Sequence, residues 1–266
     1  MDVSSKGVKG FVAGTLIGTL GGLIGLGGAE FRLPVLVGVF KLDTLQAVIL
    51  NKAMSFVVVA AALLFRGKTI PADLLFSHAD VVINLLAGSL IGAWWAAGHA
   101  MTMSKLWLDR IILVLLIGLA AVMLGESLWH VHDSSPLIAE AIPRFATGLV
   151  AGLGIGMVAA LLGVAGGELL IPTIVILFGM DVKVAGSLSL CVSLPTMIVG
   201  FARYRQAEAF LVLGQEATLL KWMSVGSIVG AAFGGLLLGL MPTSWLMCLL
   251  GVILLVSAVK TFLHTR

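Results

Sequence analysis

Gly25-Leu26-Gly27-Gly28-Ala29-Glu30-Phe31-Arg32-Leu33-Pro34 interrupts an apolar run with glycine, then sets a carboxylate and a guanidinium inside the next run. The pattern returns 138 positions later as Gly163-Val164-Ala165-Gly166-Gly167-Glu168-Leu169-Leu170-Ile171-Pro172. Working outward under the same shift, Gly14, Gly18, Phe40, Asp43 and Ala47 fall on Gly152, Gly156, Phe178, Asp181 and Ala185. Further on, Gly88, Ser89, Gly92, Ala93 and Trp107 fall on Gly226, Ser227, Gly230, Ala231 and Trp245. Self-similarity at one fixed offset is the mark of a duplicated architecture. The chain therefore reads as a short cytoplasmic N-terminus (1–9), a first repeat (10–128), a polar linker (129–147) and a second repeat (148–266).

Composition says what the repeats are made for. Hydrophobic residues are 60% of the 266 and charged residues 11%, where soluble domains carry about 25% charged. That leaves too little polar surface for a water-soluble body, so the expected class is an all-α polytopic membrane protein in contact with lipid. Disorder, a disulfide scaffold and nucleic-acid binding are excluded by the shortage of polar residues, of cysteine and of any basic face. Sixteen Lys and Arg against 13 Asp and Glu is a small excess, set beside hydrophobic runs, where it orients spans. Cys191 and Cys248 lie in separate apolar stretches and read as packing residues.

Each repeat has the same hydropathy order. A first apolar run (Phe11–Ala29; Phe145–Ala165) meets the glycine break, and a short piece follows (Phe31–Phe40; Leu169–Phe178). Three longer runs complete each repeat: Thr44–Phe65, Leu74–Ala97 and Leu106–Leu124, then Val182–Ala202, Leu211–Leu240 and Trp245–Phe262. Crossing the ~30 Å apolar core takes about 20 helical residues, so the short pieces reach halfway and read as half-helices after a break near the midplane. That gives four span-equivalents per repeat, about eight transmembrane helices in all. A five-plus-five inverted arrangement leaves the same excess of basic residues on the cytoplasmic side, so length decides for eight.

Charges within the apolar runs mark the candidate site. A charged residue at a helix centre costs roughly 2.5–3.5 kcal/mol, so Glu30, Arg32 and Lys52 must pair or face water. Glu30 has a twin in Glu168, whereas Arg32 and Lys52 align with Leu170 and Leu190. The paired carboxylates read as coupling machinery and the unpaired cations as substrate chemistry. Arg32 and Lys52 are the expected anion ligands. Asn51, and Ser189 opposite it in the second repeat, add polar contacts, and the break glycines Gly27, Gly28, Gly166 and Gly167 expose backbone amides at helix N-termini. The competing reading makes Arg32 or Lys52 a structural counter-charge to a Glu. No resident cofactor or metal is expected; the coupling ion is a proton or sodium, the partner a small anionic substrate, and oligomeric state stays open. Asp80, Asn84 and His78, near a span's start, read as capping or interfacial groups, and His130-Val131-His132-Asp133 as a solvated loop. No P-loop, HExxH, GxSxG or GxGD motif is present. A membrane-embedded enzyme or accessory subunit using the Glu pair as acid and base is the reading from another class.

The stretches at 25–34 and 163–172, each followed by an apolar piece, an Asp (Asp43, Asp181) and a span opening with Ala47 or Ala185, resemble the sulfite exporter TauE/SafE family, also called the toluene-sulfonate uptake permeases. The resemblance covers both repeats. It implies a seven- or eight-span secondary transporter of the cytoplasmic (inner) membrane that moves sulfite, sulfonates or related organosulfur and carboxylate anions by alternating access. The family's commoner break is a plain glycine triplet, where this chain has Gly-Gly-Ala-Glu and Ala-Gly-Gly-Glu, so the Glu roles rest on chemistry alone.

Overall fold

In the computed structural model, residues 3–24, 28–66, 77–128, 140–236 and 243–263 are described. Among them every extended element is a helix: α1 (Val3–Ile24), α2 (Ala29–Gly38), α3 (Thr44–Arg66), α4 (Ala79–Thr102), α5 (Lys105–Leu128), α6 (Ala141–Leu162), α7 (Gly167–Phe178), α8 (Val182–Tyr204), α9 (Ala217–Leu236) and α10 (Thr243–Leu263). Short helical turns at Glu208–Leu211 and Val212–Gln215 lead into α9. Windows in six of these helices, α3, α4, α5, α6, α8 and α9, are long and apolar enough to cross a membrane. Large apolar side chains such as Val150, Ile91 and Phe233 stand exposed on them, as lipid contact requires. The protein is a multi-pass membrane protein.

Element bounds shift from the sequence reading where local chemistry overrides hydropathy. α6 begins at Ala141, inside the stretch read as linker. α4 runs on to Thr102, past Ala97. The run expected from Leu211 is split by the two turns, and the helix proper starts at Ala217. The short pieces are helices of 10 and 12 residues, about 15 and 18 Å long. Each starts on a glycine with left-handed backbone, Gly28 (φ 68°) and Gly166 (φ 83°), a conformation that costs glycine nothing. Each also carries an internal proline, Pro34 and Pro172.

Helices of one half pack on helices of the other: α1 along α9, α4 along α6, α5 on α10 and α3 on α8. α4 also lies on α8 and α3 on α9. Glycine stripes set the closest approaches. A Cβ on Gly18 would fall 2.8 Å from the Cα of Ser227, and one on Gly156 would fall 2.6 Å from the Cα of Ser89. Small residues let membrane helices come this near and gain dispersion and Cα–H contacts, and Gly14 and Gly18 do so against the backbone of Met223 and Ser227.

Candidate anion and coupling site

α6 ends at Leu162, where its last carbonyls lose their helical donors. Side chains from α3 and α8 replace them. Lys52 Nζ donates to Ala159 O (3.2 Å), Tyr204 Oη to Ala160 O (3.1 Å), and Asn51 Nδ2 to Leu162 O (3.0 Å). Ser55 Oγ donates to Gly163 O (3.2 Å). A cation at the C-terminal end also complements the helix dipole. All four side chains are buried.

Asn51 Nδ2 makes a second bond, to Ala29 O at the start of α2 (3.0 Å), so one amide ties the first residue of α2 to the last residue of α6. Replacing it with leucine removes both bonds and leaves the buried Leu162 carbonyl at the end of α6 short of a donor. We expect Asn51→Leu to cost about 2–4 kcal/mol, seen as a clear fall in the thermal midpoint of the detergent-solubilised protein. An unchanged midpoint would mean that the amide holds nothing together.

Beside this tie sit the charges. Glu30, Arg32 and Glu168 are each at most 5% exposed. The Glu30 and Glu168 carboxyls, one from the first turn of each half-helix, are close enough to interact electrostatically. Among the described residues none of their four oxygens has a hydrogen-bond partner. Arg32 interacts electrostatically with both, its Nη2 donates to Ser55 Oγ (3.0 Å), and among the described residues Nε and Nη1 are unpartnered. The site therefore holds two carboxyls, a guanidinium with donors to spare and two helix N-termini, all shielded from solvent.

The structure brings Glu30, Glu168, Arg32 and Asn51 together, with Gly28, Gly166 and Gly167 at the two helix starts. Lys52 is buried on the same helix as Asn51, yet its ammonium turns to Ala159 O and lies against Gly200 of α8, where an added Cβ would fall 2.8 Å from Cε. Among the described residues it forms no ion pair with either Glu. Ser189 bonds Gly186 O within its own helix (2.9 Å). Gly27 lies outside the described residues, as do His130, His132 and Asp133. Asn84 is buried at the α4–α6 contact, its Nδ2 facing Gly148, while Asp80 is exposed in the first turn of α4. Ser55, Tyr204 and Gly200 were not singled out from sequence. Ser55 had a signal, because the 138-residue shift lays it on Ser193.

No curated protein and no solved structure matches the chain. Residues 149–266 match the family model described as Sulfite exporter TauE/SafE, a span that includes the second break and Glu168. This multi-pass membrane protein thus carries, through its second half, the pattern of the sulfite exporter TauE/SafE family that its glycine–glutamate stretches resemble.

Proposed function

We propose that the protein is a secondary transporter of small oxyanions, such as sulfite, sulfonates or related carboxylates, built from two repeats of four span-equivalents that rock against one another. The observation that carries this reading is Arg32: a buried guanidinium in the first half-helix with two nitrogens unpartnered among the described residues, in electrostatic reach of Glu30 and Glu168 at the two half-helix starts. A guanidinium fork suits a planar or tetrahedral oxyanion, and helix N-termini add amides and positive potential. Lys52, near the break through Asn51 and Ser55, supplies a second positive charge along the path.

Glu30 and Glu168 are the coupling pair in this reading. Two carboxylates side by side repel an incoming anion, and a proton on the pair lowers that repulsion by one charge. Anion and proton therefore bind together, which is symport. Sodium is the second reading, favoured by Pro34 and Pro172. Neither has an N–H, so the carbonyls of Glu30 and Glu168, four residues earlier, lack their usual helical donor. With the carboxylates they make an all-oxygen set suited to a hard cation.

The test is counterflow in proteoliposomes preloaded with sulfite, thiosulfate or sulfoacetate, with zwitterionic taurine for comparison. We expect labelled anion to accumulate faster than in protein-free vesicles, and taurine to lag. Rates equal to those of empty vesicles for every anion would remove the transport reading and leave the enzyme alternative, an acid–base pair within the membrane.

A further inference from the structure

Outside the Glu30–Glu168 site, α4 and α8 enclose an open cavity of about 310 Å³ lined by Trp94, Trp95, Gly98, His99, Thr102 and Arg203. Among the described residues no acidic side chain lines it. The Arg203 guanidinium lies over the Trp94 ring, 4.7 Å from its centroid, and Nη1 donates to Gln206 Oε1 (2.9 Å). Nε is buried and has no partner among the described residues. Gly98 leaves the space that the guanidinium fills, since a Cβ there would come within 3.2 Å of Nε and Nη2. The His99 ring lies against Trp95, with Nδ1 bound to Trp95 O (2.9 Å), so its other nitrogen is left for the cavity or solvent.

The cavity is the outer end of a polar row along the α4–α8 contact. One turn deeper, Gly200 faces Ala93 and the Lys52 ammonium, 3.0 Å from where a Cβ would stand. Another turn deeper, Ser89 and Thr196 share a hydroxyl–hydroxyl bond of 2.6 Å. Residues three or four apart lie on one helix face, so Arg203, Gly200 and Thr196 form one line on α8. An ammonium has three donors, and Lys52 spends one of them on Ala159 O.

We propose that the Trp94–Arg203 cavity is an oxyanion-binding vestibule that hands its ligand to Lys52. The inference rests on the transport reading and names its point of entry. Arg203 lines the cavity and meets the anion with its guanidinium charge and N–H fork, with Trp94 holding the guanidinium plane from behind. An oxyanion here comes either from the aqueous phase or from a lipid headgroup phosphate at the membrane interface. The chemistry of recognition is the same.

Intrinsic tryptophan fluorescence of the purified, detergent-solubilised protein tests it, because two of the six tryptophans line the cavity. Sulfite and sulfate are titrated in one arm, and micelles containing phosphatidylglycerol or phosphatidylcholine in another. We expect a saturable change that is lost in Arg203→Gln and in Trp94→Phe but kept in Lys52→Met. Saturation by free anion assigns the vestibule to the substrate. A response to phosphatidylglycerol alone keeps the oxyanion site and overturns the hand-over to Lys52. A signal unchanged by Arg203→Gln, or absent from both arms, overturns the proposal. Loss of counterflow in the wild type with this signal intact would instead count against the transport reading.

Discussion

Arg32→Gln is expected to lower anion flux at least about 100-fold while leaving a folded protein in the membrane. Glutamine keeps a polar amide in the pocket, though it is too short to reach Ser55 Oγ. What the anion loses is the charge and the two free N–H groups at Nε and Nη1. A hydrogen bond to a charged group contributes about 1.5–3 kcal/mol, and each 1.4 kcal/mol is a factor of ten, so losing two such bonds to the anion exceeds two decades. Arg32→Lys keeps the charge without the fork and should recover only part of the flux. Initial rates in proteoliposomes, normalised to protein that elutes as a single species, measure both. Flux within threefold of wild type in Arg32→Gln would move the anion site elsewhere.

The second large effect concerns the fold. Gly156→Leu places a Cβ against the backbone of Ser89, with its Cα 2.6 Å away, and backbone in a packed helix pair cannot yield as a flexible side chain does. α4 and α6 must separate, and the cost should exceed about 3 kcal/mol. Gly18→Leu meets the backbone of Ser227 in the matching place on α9 and should behave alike. Gly154, on the same helix as Gly156, has nothing within 4 Å of its would-be Cβ. Gly154→Leu therefore serves as the control. We expect the first two variants to lose the monodisperse peak in detergent and the third to keep it. Equal behaviour of Gly154→Leu and Gly156→Leu would mean that close helix approach is not what the stripe provides.

The breaks were the most legible part of the molecule. A glycine cluster in an apolar run has few explanations, and Gly28 and Gly166 take up left-handed backbone at the start of a short helix, as the hydropathy pattern required. The burial of Glu30, Arg32, Lys52 and Asn51 was legible for the same reason, since charges and amides in an apolar run must face protein or water. Their partners were harder to read. Lys52 meets the carbonyl end of α6, 107 residues away in sequence, and nothing local in the sequence says which helix end a cation will find. Tyr204, the single tyrosine, looks like a span terminus until its hydroxyl is seen on Ala160 O. Gly200 reads as one more packing glycine, and only the position of the Lys52 chain shows what its missing Cβ makes room for.

The central claim is that Glu30 and Glu168 couple anion movement to a proton through a single shared site, and flux under an imposed pH gradient tests it most directly. Vesicles alkaline inside and acidic outside should drive anion uptake above the rate seen without a gradient, and collapsing the gradient with a protonophore should remove the excess. Glu30→Gln with Glu168→Gln should carry anion at a rate indifferent to the gradient, with no acidification reported by an internal pH dye. Wild-type flux that ignores the gradient, or gradient-driven uptake that survives in the double variant, would contradict the claim and leave the carboxyl pair a role in structure alone.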